Sequence, residues 1–143
     1  MNDFVRIDPL VAGEKGRGTI MDTNCIPWSV KKLEYVFDGW LGDHLVQSFP
    51  SFIITVEAAN DLNQHNCTGY ELDEVTTLKS EQFEEFESNV TLPEFKWLKI
   101  VGRARVDDFG LDPDGMLVIS RRAYALVKAH GLQHAVIDSN PHL

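Results

Sequence analysis

The sequence predicts an α+β domain in which a mixed β-sheet carries two longer helices. Three observations point to it. Short β-branched runs, SFIIT (51–55) and MLVIS (116–120), each give way to a segment of helical periodicity. The changeover falls both times on a hydroxyl residue, Thr55 and Ser120, which suits a helix N-cap because the side-chain oxygen can accept an otherwise orphan backbone N–H. The 143 residues, 43% apolar and 24% charged, have the size and composition of one globular domain rather than of a disordered chain.

The first strand is expected over Phe4–Ile7, and the glycine-rich stretch from Gly13 to Gly18 reads as loop. Leu33 to Asp38 alternates, with Leu33, Tyr35 and Phe37 on one face, before a turn spanning 38–43. Pro50 opens the second half, which contains two similar units. In the first, SFIIT leads to a helix with Val56, Ala59 and Leu62 on one side and Glu57 and Asp61 on the other. That helix ends near His65 and Asn66, and TGYELDEV follows as a strand. In the second, MLVIS leads to the helix RRAYALVKAH, Gly131 stops it, and LQHAVI reads as a strand. Both are strand–helix–strand units, too weakly alike to name a duplication. Between them Ser80 caps a short helix, EQFEEFE, with Phe83 and Phe86 sharing a side. A strand is expected from Phe95 to Val101, RVDDFGLDPDG reads as a loop, and DSNPHL reads as a frayed tail.

The formal charge of −9 is unevenly distributed. Glu57, Asp61, Glu71, Asp73, Glu74, Glu81, Glu84, Glu85, Glu87 and Glu94 face a single base, Lys79, so this stretch alone carries the whole excess. Such a region disfavours nucleic acid and anionic membranes and favours a cationic protein partner. The alternative is an acidic face that only keeps the protein in solution. The contact is expected on Asp73, Glu74, Glu81, Glu84, Glu85 and Glu87, with Phe83 and Phe86 as apolar anchors.

No apolar run approaches the ~18 residues of a membrane span. MNDFVRIDPLVAGEKGRG has an acid at Asp3 and no apolar core, so it does not read as a signal peptide. Cys25 and Cys67 fit two reduced thiols better than a disulfide or zinc scaffold, which places the chain in the cytosol. In that compartment the glycosylation patterns at Asn66 and Asn89 have no meaning.

The residues that could carry chemistry each have a simpler account. His130 and His134 are four apart, but Gly131 between them ends the helix, and His65 and Cys67 have no matching pair, so no metal site is expected. Asp108-Phe109-Gly110 stands without the other elements of a kinase. Asp107, Asp108, Asp112 and Asp114 lack calcium-loop spacing and a closing Glu. Ser120 has no nucleophile elbow around it. Arg121 and Arg122 oppose the dipole at a helix start, and Asp107 and Asp108 are the expected counter-charges. No catalytic residue, metal or cofactor is therefore assigned.

From SFIIT through TGYELDEV, SEQFEEF, LPEFKWLKIVG and DDFGLD to MLVISRRAYALVKAHGLQHAVI, the chain resembles bacterial immunity proteins that accompany polymorphic secreted toxins. The likeness spans about residues 50–137 and is carried mostly by the last stretch; residues 1–50 take no part in it. Some relatives carry paired Cys-x-x-Cys-Gly knuckles, which this chain lacks, so no zinc is implied. The resemblance implies a cytoplasmic protein that binds a cognate toxin, such as a basic nuclease, and occludes its active site or cofactor entry. Two other readings stay open: a non-catalytic adaptor or structural subunit of a secretion or phage apparatus, and a hydrolase using an acid pair.

Overall fold

A computed structural model describes residues 3–25 and 28–138. In chain order the elements are β1 (Phe4–Asp8), β2 (Gly13–Lys15), β3 (Ile20–Asp22), β4 (Ser29–Phe37), β5 (Leu45–Ser48), β6 (Ser51–Thr55), α1 (Val56–Gln64), β7 (Tyr70–Asp73), β8 (Val75–Lys79), α2 (Glu81–Phe86), β9 (Phe95–Ile100), β10 (Phe109–Leu111), β11 (Leu117–Ser120), α3 (Arg121–His130) and β12 (Val136–Asp138). The fold is α+β, but the strands form three four-stranded sheets rather than one mixed sheet. Their orders are β10-β11-β1-β12, β5-β6-β9-β7, and β2-β4-β3 with β8 on the other edge of β4. Among the described residues the strand pairs are antiparallel except β4 with β8, which run parallel from Leu33↔Val75 to Phe37↔Lys79.

The apolar run SFIIT explains why one sheet does not suffice. All five residues of β6 are buried. Phe52 and Ile54 join Leu45 and Leu98 in a core with α1, α3 and the β1 sheet, while Ile53 joins Val46, Phe95 and Trp97 in a second core. A sheet apolar on both faces has to be covered on both. The second cover is β4, whose Leu33, Tyr35 and Phe37 face inward as their alternation predicts. The Tyr35 hydroxyl accepts the Ala12 N–H at 2.9 Å and donates to the Gln47 carbonyl at 2.9 Å. Burial pushes its pKa up to about 12, against the backbone N–H groups of Ala12 and Gly13. Phe83 of α2 closes the second core.

The two strand–helix–strand units are present, and each is split by an antiparallel strand from elsewhere. β9 lies between β6 and β7, with Leu98 opposite both Phe52 and Leu72. β1 lies between β11 and β12, with Ile7 opposite both Leu117 and Ile137. Each unit also begins with a hairpin strand, β5 before β6 and β10 before β11. The Thr55 N–H donates to the His44 carbonyl at 2.9 Å, and the Ser120 N–H to the Asp108 carbonyl at 2.8 Å. His44 and Asp108 each stand just before the hairpin strand, so the repetition reaches individual residues. The two units exchange contacts: His44 N–H reaches the carbonyl of Gly131 after α3, and Phe109 N–H reaches that of Thr68 after α1. Helices α1 and α3 pack on each other. Their small residues Ala58, Ala59 and Ala123 are fully covered, which permits close approach.

Helices start after Thr55, Ser80 and Ser120 as expected, each hydroxyl accepting the N–H three residues on. Gly131 ends α3 at φ 143, where a Cβ would lie 2.6 Å from the Gly42 carbonyl oxygen, so only glycine fits. Several expectations change. The Gly13–Gly18 stretch contributes a strand, β2, because Gly13 to Lys15 pair with Phe37 to Tyr35. TGYELDEV is two strands in different sheets, since the Glu74 N–H turns onto the Asp73 carboxylate at 2.8 Å and releases the chain from β9 to β4. The loop RVDDFGLDPDG contains β10, and the final strand is confined to Val136–Asp138. The expected tail lies, beyond Asp138, outside the described residues. Among the described residues no helix is long and apolar enough to cross a membrane.

Candidate functional site

The polar residues that looked chemical in the sequence are tied into structural pairs. Asp108, at the turn into β10, accepts Nε and Nη2 of Arg122 at 2.9 Å each, the Ser120 hydroxyl at 2.6 Å and the Thr68 N–H at 2.8 Å. Burial alone would raise its pKa, but the Arg122 guanidinium, Ser120 and Thr68 outweigh it and hold it at about 2. Arg122 also caps the end of α1 through the His65 carbonyl at 2.9 Å. The pairing expected for Asp108 and Arg122 is thus present, while Asp107 accepts the Arg103 N–H at 2.8 Å instead. Asp112 and Asp114 bind the buried Arg6 of β1 at 2.7 and 2.9 Å, and Asp112 also binds Arg105 at 2.6 Å. Hydrogen bonds from these cations hold the carboxylates of Asp112 and Asp114 below their usual range, with the Met116 N–H the largest influence on Asp114.

The equivalent junction in the first unit is built from histidine. His44 Nδ1 lies 2.6 Å from the Thr55 hydroxyl, and its ring packs against those of Trp40 and His130. Burial lowers its pKa, as does the nearby His130, against Glu57 and Asp43. His130 pairs with Asp61 at 2.5 Å and His134 with the buried Asp43 at 2.9 Å, so the two histidines serve different partners. Among the described residues no group of three or more His, Cys, Asp or Glu side chains is placed to hold a metal, and both Cys25 and Cys67 are free.

The expected contact residues separate into three groups. Asp73 pairs with Lys99 at 3.1 Å, and Glu74 with Lys96 at 2.7 Å. These acids of the β7 end are balanced by lysines of the neighbouring β9, which the sequence could not show because the pairing is 22 to 26 residues distant. Phe83 is 0% exposed and belongs to the second core, so it is corrected from surface anchor to core residue. Three positions along a helix leave roughly 60° between side chains, and in a six-residue helix the core takes Phe83 alone. Phe86 is 74% exposed. Among the described residues, no ion pair reaches Glu81, Glu84 or Glu85, all exposed on the same helix.

Next to this helix lies a region the sequence reading missed. Leu10, Val11, Ala12, Gly13, Asp38, Gly39, Leu41 and Glu87 line an open depression of about 330 Å³. Glu87 caps the C-terminus of α2 and belongs to both features. The only signals were two isolated apolar residues, Val11 in a segment given no element and Leu41 in the expected turn. Helix α2 thus presents acids and an exposed aromatic ring, and Glu87 at its end also lines the depression. No protein-family model matches the sequence, and no curated protein matches it either.

Proposed function

We propose that this protein is a non-catalytic immunity protein, which binds a cognate cationic toxin in the cytoplasm and neutralises it by occluding its active site. The observation that carries this is the surface of α2, where Glu81, Glu84 and Glu85 meet no ion pair among the described residues and Phe86 is exposed. Interface cores are rich in aromatic residues, and unpaired surface charge of one sign accelerates capture of an oppositely charged protein. An inhibitor that must act before damage occurs benefits from that speed. The carboxylates with resolved shifts, Asp73, Asp108, Asp112 and Asp114, are all held low by N–H groups or cations, whereas a general acid needs its pKa raised. Their ion pairs and hydrogen bonds account for these four as structural groups.

The test is capture of a polypeptide from the protein's own cells, followed by association kinetics with it. Replacing Glu81, Glu84 and Glu85 together by Lys should slow association at low salt by about tenfold or more, with the fold intact. Wild-type association should also slow as salt rises, because the Debye length is only about 10 Å at 0.1 M. An on-rate indifferent to both changes would reduce the acidic face to a solubility device. A captured component of a secretion or phage apparatus, in place of a toxin, would favour the adaptor reading.

A further inference from the structure

The depression beside α2 has the chemistry of a seat for one long cationic side chain. Its walls are aliphatic at Leu10, Val11 and Leu41, and its rim carries Asp38 and Glu87. Val11 and Leu41 are each 60% exposed, so apolar surface lies open beside two acids. The space is open rather than enclosed, unlike the concave sites that bury most of a small ligand, and it suits a side chain delivered from another protein's surface.

The parts are held in place. The Asp38 N–H donates to the Ala12 carbonyl at 2.9 Å, which ties the floor segment to the rim segment. Leu10 bridges to Val46 of β5. The Glu87 carboxylate accepts the Trp40 N–H at 3.4 Å, and a Cβ on Gly39 would meet its Oε2 at 2.3 Å. The bare Gly39 thus leaves the space that Glu87 fills.

We infer that this depression receives an arginine of the bound cationic polypeptide, with its methylenes on Leu10, Val11 and Leu41 and its guanidinium between Asp38 and Glu87. Charge complementarity selects a cation, and the aliphatic walls select one with a long apolar stem. Arginine is favoured over lysine because its planar fork serves two carboxylates at once and its head is more weakly hydrated. Arginine is also among the residues that most often dominate interface energy. The inference rests on the binding function proposed above, yet the two can fail separately.

The experiment is an NMR titration of the intact ¹⁵N-labelled protein with end-blocked tetra-arginine and tetra-lysine peptides. Tetra-arginine should shift the amides of Val11 to Gly13 and Asp38 to Leu41, saturating at about fivefold lower concentration than tetra-lysine. Gly39→Ala displaces only the flexible end of Glu87, and Asp38→Asn removes one rim charge. Each should abolish the preference while shifts at Glu81, Glu84 and Glu85 persist. Shifts confined to those three glutamates, equal for both peptides, would overturn the arginine seat and leave cation binding by the face standing. Shifts in the depression that survive both substitutions would also overturn the seat. No shift anywhere at low salt would overturn the seat and the acidic-face binding function together.

Discussion

At the residue scale, Asp108 concentrates the most interaction on one side chain. It is 8% exposed and takes five hydrogen bonds from Arg122, Ser120 and Thr68. Its folded pKa of about 2 lies below the roughly 3.9 of an unfolded Asp, so the unfolded chain binds the proton more readily. The stabilisation is therefore present above pH ~4 and is lost as the pH falls through about 2. Arg122 is half exposed, which lessens the cost of breaking the pair. Asp108→Asn should cost about 2 kcal/mol in urea denaturation at pH 7. Between about pH 4 and 2 the wild type should lose that advantage, so the two stability curves converge; parallel curves would remove Asp108 as the source. The sequence showed Ser120 as a cap and Asp108 as a counter-charge for Arg122. It could not show that one hydroxyl joins them, because that bond depends on the β10–β11 hairpin, whose first strand has only three residues.

At the element scale, α2 separates what periodicity can decide from what it cannot. The Ser80 cap and the helix were legible, since the hydroxyl and the apolar positions are local. Which phenylalanine enters the core was not, because spacing of three fits either assignment and only the neighbouring β4 and β9 decide it. Phe83→Ala should cost about 3–5 kcal/mol, as expected for an aromatic side chain removed from a core. Phe86→Ala should change stability by no more than about 0.5 kcal/mol while weakening capture of the partner. Thermal denaturation of the two variants measures the first contrast, and a stability loss for Phe86→Ala equal to that for Phe83→Ala would place both rings in the core. The same limit explains TGYELDEV. Alternation is continuous enough to read as one strand, yet Tyr70–Asp73 pairs with β9 and Val75–Lys79 with β4. The strands β2, β3, β5 and β10 have three or four residues each, too few for a periodic signal.

At the scale of the whole molecule, the two split strand–helix–strand units share one core, and the β4 sheet with α2 packs on the far side of the β5-β6-β9-β7 sheet. The strand–helix–strand units were readable in the sequence, as was the inward face of β4. The strands that split them were not, because β1 and β9 reach their places from distant parts of the chain. The acidic helix α2 belongs to the outer layer, so the proposed binding surface is built on segments the repeated units do not require. The middle sheet couples all of this, since neighbouring residues of β6 and β9 enter opposite cores: Ile54 and Leu98 one, Ile53 and Trp97 the other. A cavity on either face therefore weakens the same strands. Phe37→Ala in one core and Phe109→Ala in the other should each lower stability by about 3–5 kcal/mol, without splitting the transition. Native-state hydrogen exchange provides the sharper check. The amides of Ile53, Ile54, Trp97 and Leu98 should exchange only through global unfolding, and both substitutions should speed them equally for an equal loss of stability. If Phe37→Ala instead released β4 and α2 in a separate, earlier transition while these amides stayed protected, the outer layer would be an independently melting unit and the middle sheet would not couple the two cores.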